Sequence, residues 1–87
     1  MESILQAERC CYICGRYDVD LHHCIHGRNN RKHSDRYGLT VWLCRDHHEM
    51  IHRNRMEDLK LIRLAQRKFE DTHTRDEFRT VFGKSFL

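Results

Sequence analysis

The alternation of apolar and polar positions predicts two short strands followed by helices. Leu39–Leu43 is β-branched and aromatic, which is typical of a strand, and Leu21–Ile25 is a second short strand candidate. Residues 26–37 lie between them, polar and without regular periodicity, so a long loop is expected there. A helix is expected to begin near Asp46, because a carboxylate suits the N-cap or the first helical turn.

Two further helices are predicted in the second half of the chain. An apolar stripe at three- and four-residue steps predicts a helix over residues 56–72; its members are Met56, Leu59, Ile62, Ala65 and Phe69. Thr74 and Glu77 have the spacing of a capping box, which predicts a short helix that ends at Gly83. The pattern therefore predicts an α+β domain with a C-terminal helical extension.

Size and composition favour one small domain that needs a staple. The chain has 87 residues, five of them cysteines, and a domain of this length buries a modest core. No secretory signal opens the sequence, and no apolar run approaches the roughly 20 residues needed to cross a bilayer. We therefore expect a cytoplasmic protein without membrane partners. In a reducing compartment, C-x-x-C indicates a metal site and not a disulfide.

Cysteine and histidine spacing predicts a structural zinc site. Cys11 and Cys14 form one pair at i and i+3, and Cys44 and His47 form another. Two such pairs make a closed set of four soft ligands, which is how structural Zn²⁺ is held. Cys10 fits the knuckle spacing less well and is interpreted as a spare thiol.

The remaining histidines predict a second, open metal site. His48 and His52 are four residues apart on a predicted helix, so both lie on one face. With His22 they would form a three-histidine site with open coordination positions, as catalytic metals require. His23, adjacent on the strand, is then free to act as a general base. His26 is an alternative ligand or, more simply, a loop histidine or phosphate contact.

Charge patterning points to an anionic partner. The net charge is only +3, but residues 27–36 concentrate basic side chains against the single acid Asp35. These side chains are expected to hold backbone phosphates of DNA, independently of sequence: Arg28, Arg31, Lys32 and Arg36.

The combined motif resembles the HNH endonucleases of the ββα-metal superfamily. The resemblance rests on Cys11-x2-Cys14, Leu21-His22-His23 and Leu43-Cys44-x2-His47-His48-x3-His52, within residues 10–54. In many members the second pair is C-x-x-C followed by His, whereas here it is Cys44-x2-His47 followed by His48. The tail, from Gln66-Arg67-Lys68 to Phe86, is similar to small phage and prophage HNH-like proteins found among recombination genes.

The resemblance implies a zinc-stapled, treble-clef-like ββα-metal core over residues 10–54, with residues 55–87 as a helical tail of one domain. It implies metal-dependent hydrolysis of DNA phosphodiester bonds, with His23 as the base that activates water. His22, His48 and His52 would bind the catalytic divalent ion, which in this family can be Mg²⁺, Mn²⁺, Ni²⁺ or Zn²⁺. The setting implied is phage or prophage DNA processing, in a bacterial cell or a phage-infected host.

Two questions stay open at the level of sequence. The motif's asparagine is expected just before the second strand, where Tyr37, Gly38 and Leu39 stand, while Asn29 and Asn30 lie upstream. The alternative function is a non-catalytic zinc module that binds DNA or a protein partner, as a monomer or a homodimer. That alternative predicts the zinc site without a second metal.

Overall fold

A two-stranded antiparallel sheet and four helices make up the chain, in a computed structural model that describes residues 1–27 and 29–87. This confirms the predicted α+β class. Within the described residues, no helix combines the length and apolarity needed to cross a membrane. The elements in chain order are β1 (Val19–His23), α1 (Asn30–Tyr37), β2 (Thr40–Cys44), α2 (Arg45–Arg53), α3 (Arg55–Phe69) and α4 (Arg75–Phe82).

The register of the sheet sets which strand residues face the core. In the antiparallel pairing of β1 with β2, His22 lies opposite Val41 and His23 lies opposite Thr40. Side chains alternate between the two faces of a strand, and His22 takes the buried position beside Val41 while Leu21 is exposed. β1 begins two residues before its predicted start, and β2 begins one residue after. The strand prediction is therefore right in kind and shifted in position.

The predicted loop at residues 26–37 is wrong over residues 30–37, which form α1. The helix has only one fully buried residue, Ser34, so it carries no apolar stripe that periodicity could detect. Ser34 holds the helix in place by a polar route. Its hydroxyl donates to the Ile25 carbonyl and accepts from the Ile25 N–H. The hydrogen bonds of buried Ser34 therefore take the place of the apolar contacts by which a periodic sequence pattern reveals a helix.

Gly38 ends α1 and allows the N-terminal segment to pack against β2. Its φ of 70° is left-handed, and a Cβ atom there would collide with the Glu2 carbonyl. The Ile4 N–H donates to the Gly38 carbonyl at 2.9 Å, and Gln6 Oε1 accepts from the Trp42 N–H at 2.8 Å. The N-terminal segment thereby leads directly from β2 to the first cysteine pair.

The C-terminal helices form the apolar core with the sheet. Ile62, Ala65 and Phe69 are buried as the stripe on α3 predicts, but Met56 is 63% exposed, so its place in the stripe is wrong. Met56 lies in the first turn of α3, where Asp58 is the buried residue in its place. At α4 the Thr74 and Glu77 capping box is present, and the helix ends at Gly83 as predicted.

Candidate metal centre and histidine pocket

Four predicted zinc ligands converge at one end of the sheet. Their ligand atoms, those of Cys11, Cys14, Cys44 and His47, all lie within 4.8 Å of one another. Cys14 Sγ and Cys44 Sγ are 3.8 Å apart, and His47 Nδ1 is 3.2 Å from Cys44 Sγ and 3.5 Å from Cys11 Sγ. A tetrahedral zinc with ordinary bond lengths spaces two sulfurs by about 3.8 Å and sulfur from nitrogen by about 3.6 Å. The group can therefore hold a metal ion, with spacing compatible with structural zinc.

Local backbone structure brings the two ligand pairs together. The Gly15 N–H donates to the Cys11 carbonyl at 2.9 Å, and this hydrogen bond closes the turn that carries Cys11 and Cys14. The Tyr12 N–H donates to the Trp42 carbonyl at 2.8 Å and fixes this turn beside β2. Cys44 is the last residue of β2 and the N-cap of α2, so His47 follows in the first turn of that helix. A strand end, a helix start and a tight turn thus present the four side chains to one point.

The electrostatics of this group favour thiolate at Cys11 but not at Cys14. The backbone N–H of Arg16 acts to lower the pKa of Cys14, but burial and the neighbouring Cys11 and Cys44 raise it overall. Burial acts to raise the pKa of the Cys11 thiol. Hydrogen bonds from surrounding backbone N–H groups, of which that of Cys44 has the largest effect, nevertheless lower this pKa to about 6. Thiolate, not thiol, is the form that binds a metal. Cys24 differs, because burial raises the pKa of its thiol to about 12 in an apolar setting. Cys10 lies outside the ligand group and donates to Glu8.

A second cluster of histidines lies between β1 and α2. The ring centres of His22 and His48 are 5.2 Å apart, those of His48 and His52 are 4.9 Å apart, and those of His22 and His52 are 6.2 Å apart. Imidazoles that share one ion place their ring centres roughly 5 Å apart, given a metal–nitrogen bond of about 2 Å. Among the described residues, only the Cys/His group has three or more ligand atoms within 4.8 Å, so this cluster is looser.

The cluster opens onto a surface cavity of about 230 Å³. His22 forms its buried wall and is 3% exposed, while His52 is an exposed residue at its rim. Leu21, His23, His26, Arg31 and His48 complete the lining. All four histidines that the sequence assigns to the second site therefore face one cavity.

His22 is the residue whose environment most favours ligation. Its Nε2 is buried and has no hydrogen-bond partner, alone among buried side-chain nitrogen and oxygen atoms of the described residues. Such an atom is costly unless something satisfies it, and an ion between the rings would do so. Burial, and after it the neighbouring His48, lower the pKa of His22 to about 4. Burial also lowers the pKa of His48. Both rings are then neutral near pH 7, as metal ligation requires.

His23 points away from the buried wall and remains partly accessible. Its side chain is 19% exposed, and its Nε2 lies 3.7 Å from Asp35 Oδ1, longer than a hydrogen bond. It therefore borders the cavity without belonging to the ring cluster. This position is compatible with a group that acts on a water molecule.

Three polar residues that the sequence reasoning did not assign support the segment after β1. Asp58 of α3 contacts His26: each of its two carboxylate oxygens lies 3.1 Å from His26 Nε2, within hydrogen-bond distance. Asn30 donates weakly to the carbonyls of His26 and Phe82, at 3.5 and 3.4 Å. With Ser34, these side chains hold the segment that follows the two adjacent histidines. The sequence did contain a signal that Asp58 is buried. It precedes Leu61 by three residues and Ile62 by four, so it lies on the same buried face of α3.

The basic residues predicted to bind phosphates divide between two settings. Arg31 lines the histidine cavity, and Lys32 and Arg36 are exposed on the same helix, α1. None of these three forms an ion pair with an acid in the part of the chain that the structure describes. Arg28 lies outside the described residues. Arg31 is therefore an unpaired cation at the cavity, and Lys32 and Arg36 are further exposed cations on α1.

Comparisons with known proteins find no relative of this chain: no family model, no curated protein and no solved structure matches it. The two clusters themselves therefore carry the evidence for function. One is a closed group of three cysteines and a histidine, and the other is an open histidine cavity that Arg31 also lines.

Proposed function

We propose that the protein is a metal-dependent HNH-type endonuclease that hydrolyses DNA phosphodiester bonds, in phage or prophage DNA processing or recombination. The observation that carries the proposal is the convergence of His22, His48 and His52 on one cavity that His23 also borders. A zinc-binding interaction module has no need of four histidines around a cavity separate from its zinc ligands.

The Cys/His group supports the proposal by its position in the chain. We assign structural Zn²⁺ to Cys11, Cys14, Cys44 and His47, whose side chains meet at the start of α2. Bound zinc would fix the start of α2, the helix that carries His48 and His52. The staple and the cavity therefore share one helix, and the order strand, strand, helix agrees with a ββα-metal core. In this chain α1 lies between the two strands.

The residues of the cavity have complementary tasks in phosphodiester hydrolysis. A divalent ion held by the three histidines would polarise the phosphate and stabilise developing negative charge. His23 accepts a proton from the attacking water, since it is accessible and outside the ligand cluster. Arg31, with Lys32 and Arg36 further along α1, holds neighbouring phosphates of the DNA backbone.

A non-catalytic zinc module that binds DNA or protein is the second candidate. The exposed basic face of α1 favours it, because that face would bind DNA whether or not hydrolysis follows. The two candidates differ at the histidines. The module requires only the Cys/His group, whereas the nuclease requires the cavity as well.

A plasmid-nicking assay tests the proposal. Zinc-loaded protein is incubated with supercoiled plasmid and Mg²⁺, Mn²⁺, Ni²⁺ or additional Zn²⁺, and nicked product is quantified on a gel. We expect nicking with at least one ion, and a loss of about 100-fold or more in rate for His23→Ala, because general bases contribute factors of this size.

His73→Ala is the matched control, since His73 lies beside Tyr37 and Phe69 and away from the cavity. It should nick at close to the wild-type rate. Absence of nicking with every ion, or undiminished nicking by His23→Ala, would contradict the proposal and favour the interaction module.

A further inference from the structure

His26 and Asp58 form a histidine–carboxylate pair at the edge of the cavity. His26 Nε2 lies 3.1 Å from each carboxylate oxygen of Asp58. The Asp58 side chain is 8% exposed, and Arg55 Nη1 holds it from the other side at 3.2 Å. The His26 ring is 40% exposed and lines the same cavity as His23. A buried, doubly held carboxylate thus fixes the orientation of an imidazole that substrate can reach.

The nitrogen contacts of His26 distinguish it from the metal cluster. Its Nε2 lies against the Asp58 carboxylate, whereas the Nε2 of His22 has no hydrogen-bond partner. The ring centre of His26 is 6.4 Å from that of His22, close to the 6.2 Å between His22 and His52, so distance alone does not separate it from the cluster. Because its Nε2 is already engaged by a carboxylate, we treat His26 as a neighbour of the cluster and not as a ligand.

The contact with Asp58 also determines which nitrogen of His26 can act. A carboxylate that accepts a hydrogen bond from Nε2–H holds the imidazole in one orientation and leaves the second nitrogen, Nδ1, as the one that can exchange a proton with substrate. The partner of His23 is weaker, because Asp35 is exposed and 3.7 Å away. Of the two cavity histidines outside the cluster, His26 is better suited to carry a proton into the reaction, and His23 to accept one.

We propose that His26 is the general acid of this site, which protonates the leaving oxygen of the DNA strand, and that Asp58 is its positioning residue. The inference rests on the proposed nuclease function and assigns a task that the proposed function leaves open. It also gives the helical tail a part in the site, because Asp58 belongs to α3.

The proton balance of the step is closed. Water attacks phosphorus and gives one proton to His23, while the bond between phosphorus and the leaving sugar oxygen breaks. The electron pair of that bond stays on the leaving oxygen, which takes the Nδ1 proton of His26. His26 is left as a neutral imidazole with Nε2–H on Asp58, and exchange with solvent then restores both histidines.

A substrate with an altered leaving atom tests this assignment. The cut position in a short duplex is first mapped with wild-type protein, and the leaving oxygen at that position is replaced by a bridging sulfur. A thiolate departs without protonation, so the general acid becomes dispensable. We expect His26→Gln to slow cleavage of the oxygen substrate about 100-fold and to cut the sulfur substrate within about threefold of the wild-type rate. His23→Ala should be slow on both substrates.

The outcomes separate the inference from the proposed function. If His26→Gln is equally slow on both substrates, or equally fast on both, His26 is not the general acid while the nuclease assignment stands. If wild-type protein cuts neither substrate with any ion, the proposed function fails and this inference fails with it. A metal titration of His26→Gln by calorimetry should show the wild-type number of bound ions; loss of an ion would make His26 a ligand and overturn the assignment.

Asp58→Asn tests the positioning role. An asparagine amide can donate to Nε2 and so favours the wrong tautomer of His26, without a change in side-chain size. We expect Asp58→Asn to cleave the oxygen substrate more slowly than wild type, by a smaller factor than His26→Gln, and to cleave the sulfur substrate at close to the wild-type rate. A purely structural role would slow both substrates alike. Asp71→Asn, an exposed position after α3, is the matched control and should cut both substrates at the wild-type rate.

Discussion

The Cys/His group and the histidine cavity share the short helix α2, where His47 of one is followed directly by His48 of the other, and they are built in opposite ways. In the Cys/His group, four ligand atoms lie within 4.8 Å, and backbone N–H groups lower the pKa of Cys11 to about 6. In the cavity, the rings converge more loosely around about 230 Å³ of open space, and His52 is exposed. A structural ion needs a closed ligand set, whereas a catalytic ion needs room for water and substrate. The difference in packing is what the proposed division between a structural and a catalytic ion requires.

The largest expected effect is on the closed group. Cys14→Ser should lose zinc and unfold, because a structural zinc contributes on the order of 10 kcal/mol to a small domain. His23→Ala should retain both zinc and fold, since His23 lies outside the ligand group. Bound zinc and circular dichroism, measured on both variants, test the contrast. A folded, zinc-loaded Cys14→Ser protein would contradict the structural assignment.

The next effect concerns the open cluster. His48→Ala removes the ring that lies closest to both His22 and His52, so the cavity should lose its divalent ion. The zinc of the Cys/His group should remain at one equivalent, with helix content unchanged. Calorimetric titration of zinc-loaded protein with Ni²⁺ or Co²⁺ measures the second ion. His73→Ala should bind it as wild type does; if His48→Ala also binds it unchanged, the three-histidine site is wrong.

The smallest expected effect is on DNA affinity. Arg31→Ala and Lys32→Ala should each weaken binding to a duplex by a few-fold and lower the salt slope by about one unit, as expected for loss of one phosphate contact. Fluorescence anisotropy at several salt concentrations, without divalent ion, measures both quantities. Arg79→Ala is the control, because Arg79 lies on α4 in an ion pair with Asp76. Equal effects at all three positions would indicate diffuse attraction and not a binding face on α1.

The ligands proposed for zinc could be predicted from the sequence because the two members of each pair are close together along the chain. Two pairs at i and i+3 follow from a turn and from the first turn of a helix, and only the distance between the pairs needed the fold. The capping box at Thr74 was predictable for the same reason, since both of its hydrogen bonds span three residues. Interactions of this range depend on backbone geometry that neighbouring residues determine.

α1 and Asp58 could not be assigned in the same way. α1 is held by Ser34, whose hydroxyl bonds to the backbone of Ile25 nine residues away, and its sequence carries no apolar stripe. Asp58 pairs with His26 across 32 residues. A polar residue that is buried against a distant partner looks the same in the sequence as one exposed to solvent. The position of Asp58 on the apolar stripe of α3 was the one sign in the sequence that this residue is buried.

The sequence by itself determined the composition of the two clusters: the cysteine and histidine pairs, the helix that carries His48 and His52, and the strand that carries His22 and His23. Only the tertiary structure decided that His22 is buried with an unpartnered nitrogen, and that α3 places Asp58 behind His26. The physical reason is the range of the interactions. Ligand spacing is set by local backbone geometry, whereas burial and charge pairing depend on which distant elements pack together.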